Sequence, residues 1–300
     1  MVLDSNIDAA VAHLRAGSLV AMPTETVYGL AGDAMNPLAI RRIYATKGRP
    51  AGHPVIVHLG PDADPNEWGE MNPLAQTLAK HFWPGPLTLI VKRRPHVPDE
   101  VTGGLDTVGL RVPSHPMAQA LLGAFGGGLA APSANRFGRI SPTTAHHVQS
   151  DLGPDVMVLD GGRCAVGIES TIIDVSANEP CLLRPGVIDQ ASIEACVGPL
   201  GTSDTPAPGT LKSHYAPMTS LLLSHSPEVD RRRLEAEGRT VAVLAATKLD
   251  DHARTLYGEL RRLDALGVDI LIAEMATNVG IGLAINDRLS RAATELSTDE

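Results

Sequence analysis

The sequence predicts an α/β protein in two unequal parts. Strand-like apolar runs alternate with helix-like runs up to about residue 197. A stretch rich in Gly, Pro, Ser and Thr, without apolar periodicity, follows over residues 198–217. A shorter strand–helix alternation then fills residues 218–300. These three observations give a larger domain over 1–197, a linker over 198–217 and a small parallel α/β domain over 218–300.

Each element has a local reason. Ile7, Val11 and Leu14 share one helical face, with Asp4 or Ser5 as the N-cap. Residues 19–22 form an apolar run that reads as a buried strand, and residues 37–46 read as a helix with proline in its first turn. Residues 55–57, 87–91, 108–112 and 129–131 read as strands, and residues 116–125 as a helix. Strands over 156–159, 171–175 and 182–183 complete the first part. In the second part, strands are expected at 221–223, 241–244 and 268–272, and helices at 228–237, 251–265 and 281–296.

Composition narrows the function classes. The chain has 300 residues and a formal net charge of -9, with the acidity spread over both parts and no basic stripe. Stable, sequence-independent binding to a nucleic acid needs phosphate neutralisation and is disfavoured. No run approaches a membrane span, and the N-terminus lacks a basic-then-apolar signal, so a soluble cytoplasmic protein is expected. Cys164, Cys181 and Cys196 lack metal-ligand spacing and read as free thiols, and the histidines show no metal-site spacing either.

The chemistry concentrates in short blocks. Pro23-Thr24-Glu25-Thr26-Val27-Tyr28-Gly29-Leu30 puts hydroxyls and a phenol at a strand end, and Lys47-Gly48-Arg49-Pro50 follows. Arg forks onto phosphate oxygens while Lys adds a point charge, so the pair suits a phosphate-bearing ligand. No P-loop or G-x-S-x-G elbow occurs. Arg111 is a charge inside an apolar strand, which argues for a specific anionic partner. Ser133 and Asn135 lie in a Pro-Ser-Ala-Asn turn whose side chains suit turn formation as well as binding. Ser141 stands before the next helix and is expected to cap it. Tyr28 either faces the site or packs in the core with its hydroxyl satisfied. Gly280-Ile281-Gly282 reads as packing at a helix start, since Ile285 occupies the third glycine position of a dinucleotide fingerprint.

Further blocks are Trp83-Pro84-Gly85-Pro86-Leu87-Thr88, Gly109-Leu110-Arg111-Val112-Pro113 and Ala131-Pro132-Ser133-Ala134-Asn135. Beyond them come Gly167-Ile168-Glu169-Ser170-Thr171 and Leu183-Arg184-Pro185-Gly186. In order and spacing they resemble the YrdC-type threonylcarbamoyl-AMP synthases. Lys212-Ser213-His214-Tyr215-Ala216-Pro217 and Gly280-Ile281-Gly282-Leu283-Ala284 resemble the family's long, two-domain form.

The resemblance implies a twisted, mixed sheet with a cationic concave face. It implies that threonine and bicarbonate or CO2 form an N-carboxy intermediate whose oxygen attacks the α-phosphate of ATP. Pyrophosphate leaves, and the adenylate serves threonylcarbamoyladenosine formation on tRNA through downstream transfer proteins. Mg2+ arrives with ATP, and no protein-ligated metal is expected. On the threonine side the resemblance places Thr26, His58, Arg111, Ala131 and Ser170. On the nucleotide side it places Lys47, Arg49, His53, Thr107, Ser133, Asn135, Ser141, Arg184 and Tyr215, with Lys47 and Arg49 as the catalytic pair. His53 stands where the family commonly carries Asn. The linker with Tyr215 is expected to fold over the ATP site as a lid. A carbamoyl-transfer enzyme and a double-stranded RNA-binding module are the alternatives. The first lacks the expected extra length and zinc ligands, the second a basic stripe.

Overall fold

The computed structural model describes residues 2–201, 209 and 214–293. The first part contains α1 (Val2–Arg15), β1 (Val20–Met22), β2 (Gly29–Asp33), α2 (Pro37–Lys47), β3 (Ile56–His58), α3 (Pro73–Phe82), β4 (Leu87–Lys92) and α4 (Asp99–Thr102). It continues with β5 (Thr107–Arg111), α5 (Pro116–Phe125), β6 (Leu129–Ala130), α6 (Ala145–Leu152), β7 (Met157–Val158), β8 (Thr171–Asp174), β9 (Cys181–Arg184) and α7 (Gln190–Val197). The second part contains β10 (Ser220–Ser224), α8 (Pro227–Ala236), β11 (Val241–Leu244), α9 (Leu249–Asp264), β12 (Ile270–Glu274) and α10 (Ile281–Ala292).

The first nine strands form one mixed sheet in the order β7-β1-β2-β6-β3-β5-β4-β8-β9. Pairs β1–β7, β3–β5 and β4–β8 run parallel, and the others antiparallel. Strands β10, β12 and β11 form a separate parallel sheet with β12 in the centre. Both the mixed sheet and the small parallel unit agree with the expectation. With few aromatic residues available, aliphatic side chains dominate the main core, among them Leu30, Ile40, Val57, Leu87, Leu89 and Leu110. Ile193 of α7 is buried in that same core.

Several local expectations are corrected. Helix α1 begins at Val2, so neither Asp4 nor Ser5 occupies its cap. Helix α6 is capped by Thr144, whose hydroxyl accepts from His147 N, so Ser141 is released for another role. Helix α10 stops at Ala292, where Ala293 turns extended. Strand β2, absent from the sequence reading, is built from Gly-Leu-Ala-Gly-Asp. Its small residues follow from close packing: a Cβ on Gly32 would meet Leu19 at 3.0 Å and Ile43 at 3.2 Å. β-Branched residues could not enter there, which removes the usual strand signal.

Helix α2 shows how sequence positions a functional side chain. Asn36 accepts from Leu38 N and Ala39 N at one end, and Gly48 closes the other in a left-handed conformation with φ 65°. Ile40, Ile43, Tyr44 and Lys47 then fall on one buried face. The last of these is a lysine, so the helix drives an ammonium into the interior.

Candidate functional site

A cavity of about 570 Å³, counting its open mouth, lies against the mixed sheet. Four connections converge on it. The β1–β2 loop supplies Thr24, Thr26 and Val27; the strand pair β3–β5 supplies His58 and Arg111, register partners across the two strands. The turn after β6 supplies Ala131, Pro132 and Ser133, and the approach to β8 supplies Glu169 and Ser170. Arg49, Arg184, Gly209, His214 and Tyr215 complete the wall.

The β1–β2 loop is tied internally by Thr24. Its hydroxyl donates to Val27 O at 2.6 Å and lies 2.8 Å from Thr26 Oγ1. Arg111 is then locked from three directions. Its Nε donates to Gly85 O at 3.2 Å, Nη1 to Thr26 Oγ1 at 2.9 Å and Nη2 to Glu25 Oε1 at 2.6 Å. Arg111 thus already has one anionic partner within the protein, Glu25. Each Nη atom still carries a second N–H for a ligand. Burial, then the nearby Arg111 charge, pushes His58 down to about 3, so it is a neutral imidazole, and its buried Nδ1 has no hydrogen-bond partner among the described residues.

Arg184 donates from Nε and Nη2 to Ser170 O, and from Nη2 to Ser170 Oγ at 3.1 Å. Thr88 Oγ1 lies 2.8 Å from the same Ser170 Oγ. Arg49 donates to Pro54 O at 2.8 Å and lies 5.7 Å from the centre of the Phe137 ring. It has no ion-pair partner among the described residues, its buried Nε has no hydrogen-bond partner, and burial lowers its pKa. An unpaired guanidinium at a cavity wall favours an anionic occupant.

Five expected site residues lie off the cavity wall. Lys47, only 2 % exposed, donates from Nζ to Ser133 O at 2.5 Å and Asn135 O at 2.6 Å. Burial, then Arg49, holds its pKa well below the usual lysine value. It therefore braces the 133–135 turn from behind. Asn135 supports that turn by donating to Arg136 O and Arg139 O, and its buried Oδ1 has no partner among the described residues. Ser141 donates to Glu169 Oε1 at 2.5 Å. His53 packs its ring 5.8 Å from Phe137 and accepts Tyr44 OH at its carbonyl. Thr107 lines a smaller adjoining cavity that shares Val55 and Ile56 with the main one. Tyr28 is a core residue: its hydroxyl donates to Gly162 O at 2.8 Å and accepts from Gly161 N.

Of the expected lid, Gly209, His214 and Tyr215 face the cavity. Lys212, Ser213 and most of the lid stretch over 205–217 lie outside the described residues. Tyr215 is 1 % exposed, has φ 64° and finds no hydrogen-bond partner for its hydroxyl among the described residues. A non-glycine residue in that conformation is uncommon and costs energy. Here Ala216 N holds the chain by bonding Gly138 O at 2.8 Å, and Tyr257 stacks on Tyr215 at 5.8 Å.

Sequence reasoning missed Glu169, Tyr257 and Arg288 as a set. Glu169 Oε2 accepts from Tyr257 OH at 2.8 Å and from Arg288 Nε at 2.9 Å, joining α9 and α10 to the cavity wall. Burial alone would raise the Glu169 pKa; Arg288, Arg184 and hydrogen bonds from Ser141 and Arg288 overcome it and hold the carboxyl at about 2. Among the described residues no cluster of three or more His, Cys, Asp or Glu is placed to hold a metal ion. No helix there is long and apolar enough to cross a membrane.

Residues 12–186 match the Sua5/YciO/YrdC family model, described as "Telomere recombination". Residues 188–294 match the model described as "Threonylcarbamoyl-AMP synthase, C-terminal domain". The chain is 41 % identical to the threonylcarbamoyl-AMP synthase of Bacillus subtilis, covering 97 % of this chain and 93 % of that one. A crystal structure of Pyrococcus abyssi Sua5 complexed with L-threonine is 38 % identical, with a TM-score of 0.89, covering 96 % of this chain and 94 % of that one. A HypF in phosphate- and nucleotide-bound form is 18 % identical with a TM-score of 0.54, covering 73 % of this chain and 32 % of its own; that likeness is one of fold. The chain belongs to the Sua5/YciO/YrdC family, in the long form that carries the threonylcarbamoyl-AMP synthase C-terminal domain.

Proposed function

We propose that this chain is a nucleotidyltransferase that makes L-threonylcarbamoyladenylate from L-threonine, bicarbonate or CO2, and ATP. The observation that carries the reading is the cavity wall. Three guanidiniums, Arg49, Arg111 and Arg184, stand among the hydroxyls of Thr26, Ser133 and Ser170, in a protein that is acidic overall. The B. subtilis and P. abyssi relatives both carry the name threonylcarbamoyl-AMP synthase, which supports the same activity.

The geometry supports a division of labour. Arg111, fixed by Glu25, Thr26 and Gly85, offers its remaining N–H groups to the threonine carboxylate, with His58, Ala131 and Ser170 around the amino acid. Arg49, Ser133 and Arg184 take the phosphates, with Lys47 and Asn135 shaping the turn that presents Ser133. Thr107 in the adjoining cavity and His53 beside Phe137 fall to the nucleoside end, and Tyr215 covers the site. The threonine nitrogen bonds to carbon of CO2 and loses a proton. The resulting carbamate oxygen attacks the α-phosphorus, the bond to the bridging oxygen breaks, and pyrophosphate leaves. No covalent protein intermediate is needed, so positioning, charge stabilisation and exclusion of water account for the catalysis. Mg2+ enters as part of the ATP substrate. Both oxygens of Glu169, a cavity-wall carboxylate, already accept hydrogen bonds from the protein, which suits an ion held by phosphates and water.

We take residues 1–197 as the catalytic domain, 198–217 as its cover and 218–300 as a second domain. We place the reaction in the cytoplasm, with separate proteins carrying the adenylate onward to tRNA and no stable tRNA complex with this chain. The experiment is product analysis with ATP, threonine and bicarbonate, each omitted in turn. Pyrophosphate release should require all three and proceed without tRNA. Equal release with threonine or bicarbonate omitted would overturn the reading.

A further inference from the structure

Glu169 presents an anomaly for a phosphate site. It is a carboxylate in the wall of a cavity whose other charged groups are arginines. A free carboxylate there would repel a triphosphate or draw Arg184 away from it. Glu169 is not free. Ser141 holds Oε1, while Tyr257 and Arg288 hold Oε2. Only Arg288 among these carries a formal charge.

Arg288 comes from α10, in the second sheet's unit, 119 residues further along the chain. It is 1 % exposed and stands beside Ala284, Ile285, Leu289 and Ala292 on that helix, with its Nη1 also donating to Asp287 Oδ2 at 2.7 Å. A helix that needed only to pack would carry an apolar residue there. Buried ion pairs are often no more stabilising than apolar side chains of similar volume. Stability alone therefore gives little reason for this arginine. Its guanidinium also lies 5.6 Å from the Tyr215 ring centre, so one side chain meets both the wall and the cover.

We propose that Arg288 is a positioning residue for ATP: by pairing with Glu169 it hides the wall carboxylate from the phosphates and leaves Arg49 and Arg184 to face them. The second domain thus completes the electrostatics of a cavity that Arg288 itself does not line. This rests on the reading of the cavity as an ATP site.

The test measures ATP binding and threonine binding separately by calorimetry, on the full chain, alongside thermal unfolding. Arg288→Met should weaken ATP at least about tenfold, the loss expected from exposing a charge that was paired. Threonine affinity should stay within about threefold. Glu169→Gln/Arg288→Met removes the exposed charge and should recover most of the ATP affinity. A purely structural role would weaken both ligands together and show no such rescue. Arg288→Lys keeps a charge without the Nε geometry and should fall between wild type and Arg288→Met. If Arg288→Met fails to fold, Arg288→Lys and the double variant carry the comparison. ATP affinity unchanged in Arg288→Met, a double variant as weak as the single, or threonine lost in parallel would each overturn the proposal. A wild-type chain that does not bind ATP would instead overturn the reading of the site.

Discussion

Two buried ion pairs border the same cavity with opposite orientations. In Glu25–Arg111 the arginine lines the cavity and the carboxylate stands behind it. In Glu169–Arg288 the carboxylate lines the cavity and the arginine stands behind. The first pair is local to the mixed sheet, between the β1–β2 loop and β5. The second crosses from the approach to β8 into α10. One arrangement presents a cation to a ligand and uses a carboxylate to aim it. The other silences a carboxylate that would oppose the ligand. Similar burial and similar distances, 2.6 and 2.9 Å, therefore do not mean equal roles.

The largest expected effect tests this asymmetry. Arg111→Met leaves Glu25 buried and uncompensated, so stability should fall by about 3–5 kcal/mol. Threonine binding should be lost as well. Glu25→Gln/Arg111→Met should restore most of the stability and none of the threonine binding, because the presented cation is gone. Urea unfolding and threonine titration read the two outcomes. Recovery of threonine binding in the double variant would break the comparison, since rescue is expected only for the pair whose arginine is hidden.

Acid separates the second pair from the histidines around it. Burial is the main cause that holds both His58 and His214 at about 3. An unfolded histidine takes up its proton near 6.5, so between 6.5 and 3 the unfolded state binds more protons. The stabilising contribution is thus complete above pH 6.5 and lost as pH falls, at about 1.4 kcal/mol per pH unit for each fully neutral buried group. Glu169 follows a lower window. Its unfolded value is 4.5 and its folded value about 2, so its contribution is present above 4.5 and lost as pH falls through 2. Denaturant midpoints measured from pH 7 downward should therefore begin to fall near 6.5, before the carboxylates act. His58→Gln should reduce the slope between 6.5 and 4.5, with His214 supplying what remains, and should leave the Glu169 loss below 4.5 in place. An unchanged upper slope in that variant would contradict the neutral imidazole assignment.

The same contrast explains what was legible in the sequence. The bounds of helix α5 are legible because proline and glycine punctuate both ends of an apolar stretch. The stretch of cavity wall formed by Thr24, Thr26 and Arg111 is legible because these residues sit in dense local blocks around the β1–β2 loop and β5. Strand β2 was hidden by the close packing that forces glycine and alanine into it. Glu169 was visible within its block but its meaning was not, since Tyr257 and Arg288 lie 88 and 119 residues away. A signal for Arg288 did exist: a charge on the apolar stripe of Ala284, Ile285, Leu289 and Ala292. Lys47 carries the same signal beside Ile40, Ile43 and Tyr44. In both cases the apolar face shows that the charge is buried, and only the tertiary partner shows what it holds.

The smallest expected effects separate two hydroxyls three residues apart. Thr144 caps α6, so Thr144→Ala should cost about 1 kcal/mol of stability through one unsatisfied helix N–H. It should leave ATP binding unchanged, because its hydroxyl bonds a backbone amide of that helix and it does not line the cavity. Ser141→Ala should show the reverse emphasis. No helix loses its cap, but Glu169 Oε1 loses the donor at 2.5 Å while the Arg288 pairing persists. A buried acceptor without its hydrogen bond costs about 1–3 kcal/mol, and the cavity is the place where that carboxylate oxygen can seek water or a new donor. ATP affinity should therefore weaken by several-fold, far less than in Arg288→Met, because the charge itself remains paired. Titration calorimetry and urea unfolding on the two variants read the split. If Ser141→Ala lost only stability and Thr144→Ala lost ATP binding, the hydroxyl assigned to silencing Glu169 would be the wrong one.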